Sequence, residues 1–194
     1  MRETIRHCLV VVFATAALLA CVATSGAAGG YGPFTPAPST VASSGFETNV
    51  QTVKMIGVSG GRLSATALQG AHVTVGVSAH TFTGSVQVAI TKPSLSGLSS
   101  LLHRLGFPSY SVTTGFTVLV SHRNGKLVTS AFGHPVTITI RGSKIGSKGQ
   151  KVLALTSKTA PCVVSETPRS GQVVVLIRKS CSLMLASPNR THGT

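Results

Sequence analysis

The chain has 194 residues and carries 17 lysines and arginines against 3 acidic residues, a formal charge of +14. The acids are all glutamates (Glu3, Glu47, Glu166) and aspartate is absent, which excludes any Asp-dependent mechanism and nearly excludes paired-carboxylate chemistry. Tryptophan is absent and aromatics make up 5% of the chain, too few to build a stacking platform for single-stranded nucleic acid.

Residues 1–23 read as an export signal. Arg2 and Arg6 supply a positive start, and Leu9 to Ala20 form an uncharged apolar core of secretory length, shorter than the roughly 20 apolar residues a spanning helix wants. Leu18-Leu19-Ala20-Cys21 resembles a bacterial lipobox, so Cys21 is a candidate for acylation. Ordinary cleavage after Ala23 or Ala27 and an uncleaved signal anchor are the competing readings. A single acyl chain holds a membrane weakly, so firm attachment would need further chains or added basic charge. The expected location is outside the cytoplasm, extracellular or in the cell envelope, with the membrane reached through this N-terminal segment.

Residues 24–46 are mostly Gly, Ala, Pro, Ser and Thr, as in Gly29-Gly30-Tyr31-Gly32-Pro33 and Pro36-Ala37-Pro38, and read as a linker. Residues 47–188 are expected to form one domain and residues 189–194 a tail. Within the domain, apolar residues alternate with polar ones. Val73, Val75 and Val77 form one row; Val86, Val88 and Ile90 a second; Phe116, Val118 and Val120 a third; Val136, Ile138 and Ile140 a fourth; Cys181, Leu183 and Leu185 a fifth. The uninterrupted run Val173 to Ile177 predicts a strand buried on both faces. Gly60-Gly61, Asn124-Gly125 and Ser170-Gly171 mark turns. Asn124-Gly125 predicts a type I′ hairpin between Leu119-Val120 and Leu127-Val128. Ser94 to Leu105 breaks the alternation, with Leu95, Leu98, Leu101, Leu102 and Leu105 at helical spacing before Gly106 and Pro108. About ten short strands and one helix predict an all-β fold, a two-layer antiparallel β-sandwich with the helix packed by its leucines over a sheet.

Cys8 and Cys21 belong to the leader, which leaves Cys162 and Cys181 as an even pair. In an oxidising compartment such a pair favours a disulfide, which would contribute on the order of 3 kcal/mol.

The order of these features carries a resemblance. A Gly60-Gly61 turn is followed by Val75-Gly76-Val77-Ser78-Ala79-His80-Thr81-Phe82 and then Val86-Gln87-Val88-Ala89-Ile90. The helical insert, the Asn124-Gly125 turn, His134-Pro135-Val136-Thr137-Ile138-Thr139-Ile140 and Gly171-Gln172-Val173-Val174-Val175 come next. Together they resemble the β-sandwich module of ankyrins, zonula-occludens proteins and netrin receptors, which also occurs in bacterial exported proteins. The resemblance spans about residues 60 to 185 and implies a scaffold for protein contacts rather than catalysis. The self-cleaving relatives use a His-Phe-Ser tripeptide, and this chain has none.

Other chemistry finds little support. A Ser-His-acid arrangement would have to use Glu47 or Glu166, and no Gly-x-Ser-x-Gly motif frames a serine. His72, His80, His122 and His134 lack Cys or carboxylate partners at ligand spacing. The stretch Gly142-Ser143-Lys144-Ile145-Gly146-Ser147-Lys148-Gly149 fails the phosphate-loop pattern and reads as a flexible basic loop. No enzyme activity, cofactor or metal is expected.

Positive charge remains as the functional signal. Arg141, Lys144, Lys148 and Lys151 cluster around that loop, and Arg123 and Lys126 lie on the Asn124-Gly125 turn; these six are candidate anion-binding residues. The expected partners are envelope proteins, anionic wall polymers and phospholipids, without specific nucleic-acid recognition. The leading expectation is an exported, non-enzymatic envelope module. A secreted enzyme or inhibitor using loop residues such as Ser121 to Lys126 is the alternative.

Overall fold

The computed structural model describes residues 49–155 and 162–189. The expected leader with Cys8 and Cys21, the linker, and the tail beyond Asn189 lie outside the described residues. Ten strands and one α-helix are present among the described residues: β1 (Asn49–Ile56), β2 (Gly61–Thr66), β3 (His72–Val77), β4 (Val86–Lys92), α1 (Leu95–Arg104), β5 (Tyr110–Ser121), β6 (Val136–Arg141), β7 (Lys151–Leu155), β8 (Val163–Arg169), β9 (Gln172–Ile177) and β10 (Cys181–Pro188). They form two five-stranded sheets, in the orders β1-β4-β5-β10-β7 and β2-β3-β6-β9-β8. Every neighbouring pair is antiparallel. This is the two-layer antiparallel sandwich expected from the alternating rows.

The rows meet face to face. Val73 and Val75 of β3, Val88 and Ile90 of β4, Phe116, Val118 and Val120 of β5, and Val136, Ile138 and Ile140 of β6 are fully buried in one cluster. Val173, Val175 and Ile177 of β9 and Leu183 and Leu185 of β10 complete it. Each such side chain contributes roughly 2 kcal/mol by leaving water. Turns at Gly57–Gly60 and Ser170–Gly171 reverse the chain, with Gly60 (φ 77°) and Gly171 (φ 72°) in the left-handed region that glycine tolerates.

The helix forms where expected. Ser94 caps it by accepting a hydrogen bond from the Gly97 amide at 3.2 Å. At the other end Gly106 takes φ 81°, its amide donates to His103 O, and the Phe107 amide donates to Leu102 O, a Schellman ending. Leu98, Leu101 and Leu102 bury themselves with Val112, Met184 and Ala186 on the outer face of the first sheet. Gly115 makes room for this, since a Cβ there would run into Leu98 Cδ1.

That helix explains one correction. Two-sided burial falls on β5 and β10, which α1 helps to cover, rather than on Val173–Ile177. In β9, Val173, Val175 and Ile177 are buried, while Val174 and Leu176 are only partly covered, because they point to the outer face of the second sheet.

The Asn124-Gly125 turn also differs from expectation. Gly125 takes φ 80°, whereas Asn124 is not left-handed, so the turn is not type I′. The His122 amide donates to Lys126 O and the Gly125 amide to His122 O. Pairing beyond the turn is limited to a bridge between Ser121 and Leu127 and a bond from Val128 N to Val120 O. The chain then crosses to the second sheet to begin β6.

The strand registers define two ends. The upper end carries Ile56, Val77, Ser121, Val136, Ile177 and Cys181; the lower end carries Asn49, His72, Lys92, Tyr110, Arg141 and Pro188.

Candidate functional site

The β6–β7 connection, residues 142–150, crosses from the second sheet to the first and closes the lower end. It is braced rather than flexible, which corrects the sequence expectation. Ile145 sinks into the core at 3% exposure. The Gly142 amide donates to Gly171 O at 3.2 Å, and the Gly171 amide donates back to Ile145 O at 2.9 Å, joining the loop to the β8–β9 turn. Gly146 (φ 73°) lies so close to Arg169 that a Cβ would collide with the Arg169 carbonyl.

Gln150 makes the second brace. Its Oε1 accepts from the Gly146 amide at 2.8 Å, while Nε2 donates to Lys144 O at 3.1 Å and to Ser187 Oγ at 2.9 Å. Nε2 also reaches Thr113 Oγ1 at 3.3 Å, and Thr113 and Ser187 share a hydroxyl hydrogen bond of 2.8 Å. One amide thus fastens the loop to β5 and β10. Sequence reasoning missed this residue, because an isolated glutamine between Gly149 and Lys151 has no distinguishing pattern.

Braced in this way, the loop carries Lys144 and Lys148 in exposed positions, between Arg141 at the end of β6 and Lys151 at the start of β7. Arg169, missed at the sequence level, arrives at the same end through the β8–β9 turn. Arg141 is held by its Nε donating to Gln172 Oε1 at 2.9 Å. Lys151 Nζ stands 5.9 Å from the ring centroids of both Phe107 and Tyr110, at cation–π range. The two rings pack edge to face with centroids 5.6 Å apart.

Glu166 in β8 is the only acid among the described residues. Desolvation raises its carboxyl above the ordinary glutamate range, and the Lys151 ammonium partly opposes that shift. A raised folded-state value means the native protein binds the proton more tightly than the unfolded chain. Stability therefore declines as pH rises from the ordinary glutamate value through the raised one. Glu166→Gln is expected to flatten this decline, read as a smaller difference between urea midpoints at mildly acidic and neutral pH than in the parent.

The six expected anion-binding residues do not form one site. Arg141, Lys144, Lys148 and Lys151 gather at the lower end; Arg123 and Lys126 lie on the turn after β5, at the upper end. A strand such as β6 separates the ends by about 17 Å. Near Arg123 and Lys126 at the upper end are Arg178 and Lys179, which follow β9.

His72 starts β3 at the lower end, and His80, His122 and His134 lie in upper-end segments. No group of three or more His, Cys, Asp or Glu able to hold a metal occurs among the described residues. Ser121, which opens the loop segment of the alternative reading, is fully buried, and its Oγ has no hydrogen-bond partner among the described residues. Cys162 and Cys181 lie at the upper end with Cα atoms 5.8 Å apart, at disulfide distance.

No protein-family model matches the chain, and no curated protein matches it. Among the described residues no helix is long and apolar enough to cross a membrane.

Proposed function

We propose that the protein is an exported, non-enzymatic β-sandwich module of the cell envelope, which contacts anionic envelope polymers or proteins through its basic surface. The observation that carries this reading is the lower end, where Arg141, Lys144, Lys148, Lys151 and Arg169 surround a loop fixed by Ile145 and Gln150. Cations carried on a braced backbone with so few acids nearby make a positive field that attracts polyanions and weakens with salt. The leader-like residues 1–23 support export, and the resemblance to the ankyrin, zonula-occludens and netrin-receptor module supports a contact scaffold.

Co-sedimentation with purified envelopes tests the proposal. Bound protein should fall steeply as salt rises from about 50 to about 500 mM, because screening shortens the reach of exposed charges. Binding unchanged over that range contradicts it.

A further inference from the structure

We infer that the lower end of the sandwich is a membrane-facing surface that takes the anionic phospholipid head groups of a bilayer; this rests on the envelope reading above. Three independent features converge there. The first is charge. Lys92 ends β4, Arg141 ends β6, Lys151 starts β7, Arg169 ends β8, and Lys144 and Lys148 sit on the braced loop between. Antiparallel order brings them together from both sheets, and Glu166 is set back along β8 from Arg169.

The second is apolar surface placed among the cations. Leu95 opens α1 just beyond Lys92 and is 43% exposed. Phe107, in the connection back to β5, and Tyr110, the first residue of β5, are only partly buried and carry the Lys151 ammonium over their rings. A soluble polyanion would engage the cations alone. A bilayer interface accepts both kinds of group, since head groups meet the cations while aromatic and aliphatic side chains settle at the acyl boundary.

The third is where the chain passes in and out. β1 begins at Asn49, paired with Lys92, and β10 finishes at Pro188, paired with Tyr110, so both connections to the rest of the chain leave from the lower end. A domain tethered through the residues preceding Asn49 would turn this end toward its point of attachment. Basic residues close to an anionic surface would then add to whatever hold the N-terminal segment provides.

The test uses the processed protein recovered from its host and vesicles of phosphatidylglycerol with phosphatidylcholine, or of phosphatidylcholine alone. The readout is the preference for the anionic vesicles, which cancels any contribution of an attached lipid. The triple variant Lys144→Gln, Lys148→Gln, Lys151→Gln is compared with Arg123→Gln, Lys126→Gln, Arg178→Gln, which removes the same charge from the upper end. All six residues are exposed, so the folded state should persist in both, as an unchanged melting temperature will verify. The lower-end triple should reduce the preference on the order of a hundredfold, at roughly fivefold per charge, and the upper-end triple far less. Equal losses from both triples overturn the inference, as does a parent protein with no anionic preference. Retention on purified wall polymer without vesicle binding also overturns it, while leaving the envelope function standing.

Discussion

Replacing Cys162 and Cys181 together by alanine is expected to lower the free energy of unfolding by about 3 kcal/mol. The two cysteines are 19 residues apart in sequence, so a bond between them closes a loop of moderate length in the unfolded chain. They also stand where a link matters in the folded state. Cys162 immediately precedes β8, an edge strand of the second sheet, and Cys181 opens β10 inside the first, so the bond fastens one sheet to the other at the upper end. Both side chains are buried, at 0% and 2% exposure, and the Cys162 carbonyl accepts the Arg178 amide at 2.9 Å. Beyond its ladder to β9, strand β8 buries little, since Val164 to Arg169 are all exposed. The melting temperature should drop by roughly 10 °C. Reductant should bring the parent down toward the double variant and leave the variant unchanged; a parent indifferent to reductant would show that the thiols are free.

Gly146→Val is expected to destabilise the protein by about 3 kcal/mol or more and to weaken envelope binding as well. Two costs combine. The residue takes φ 73°, which a β-branched side chain resists, and its Cβ would occupy the space of the Arg169 carbonyl oxygen, with Gln172 O close behind. Backbone atoms cannot step aside as a flexible side chain could, so the loop must lift away from the β8–β9 turn. The bonds joining Gly142, Gly171 and Ile145 would then break, and Lys144 and Lys148 would lose their fixed placement. Gly70→Ala supplies the control, because Gly70 has φ 76° but open space around a Cβ. It should cost only about 1–2 kcal/mol and leave binding intact, so urea titration of the two variants separates strain from collision.

The strands that proved easiest to anticipate are those with one face in the core. Val136, Ile138 and Ile140 alternate with polar residues because β6 shows only one side to the interior, and the pattern records that directly. Strand β8 gave no such signal. As an edge strand with an exposed face, a Pro168 and two charged residues, it lacks an apolar row, and those same residues discourage pairing with another chain. The burial of β5 and β10 on both sides depends on α1 folding back over them, and neither strand's own residues disclose that.

The division of the basic residues could have been inferred from strand counting. One strand, β6, separates Arg123 and Lys126 from Arg141, and a single antiparallel strand carries the chain from one end of a sandwich to the other. The same reasoning places Arg169 beside Lys144, since β7 ascends and β8 descends between them. Gln150 and Gly146 were not legible in this way. Their roles come from contacts with Ser187, Thr113 and Arg169, residues distant in sequence that only the folded chain brings near.

Intact-mass measurement of the protein recovered from its host tests the central claim most directly, that this chain is exported as a cross-linked sandwich. A start between Cys21 and the Gly-rich linker, with or without added lipid, and a mass two hydrogens below the reduced value are the predicted result. A protein that keeps Met1 or Arg2 and has both Cys162 and Cys181 as free thiols would contradict it.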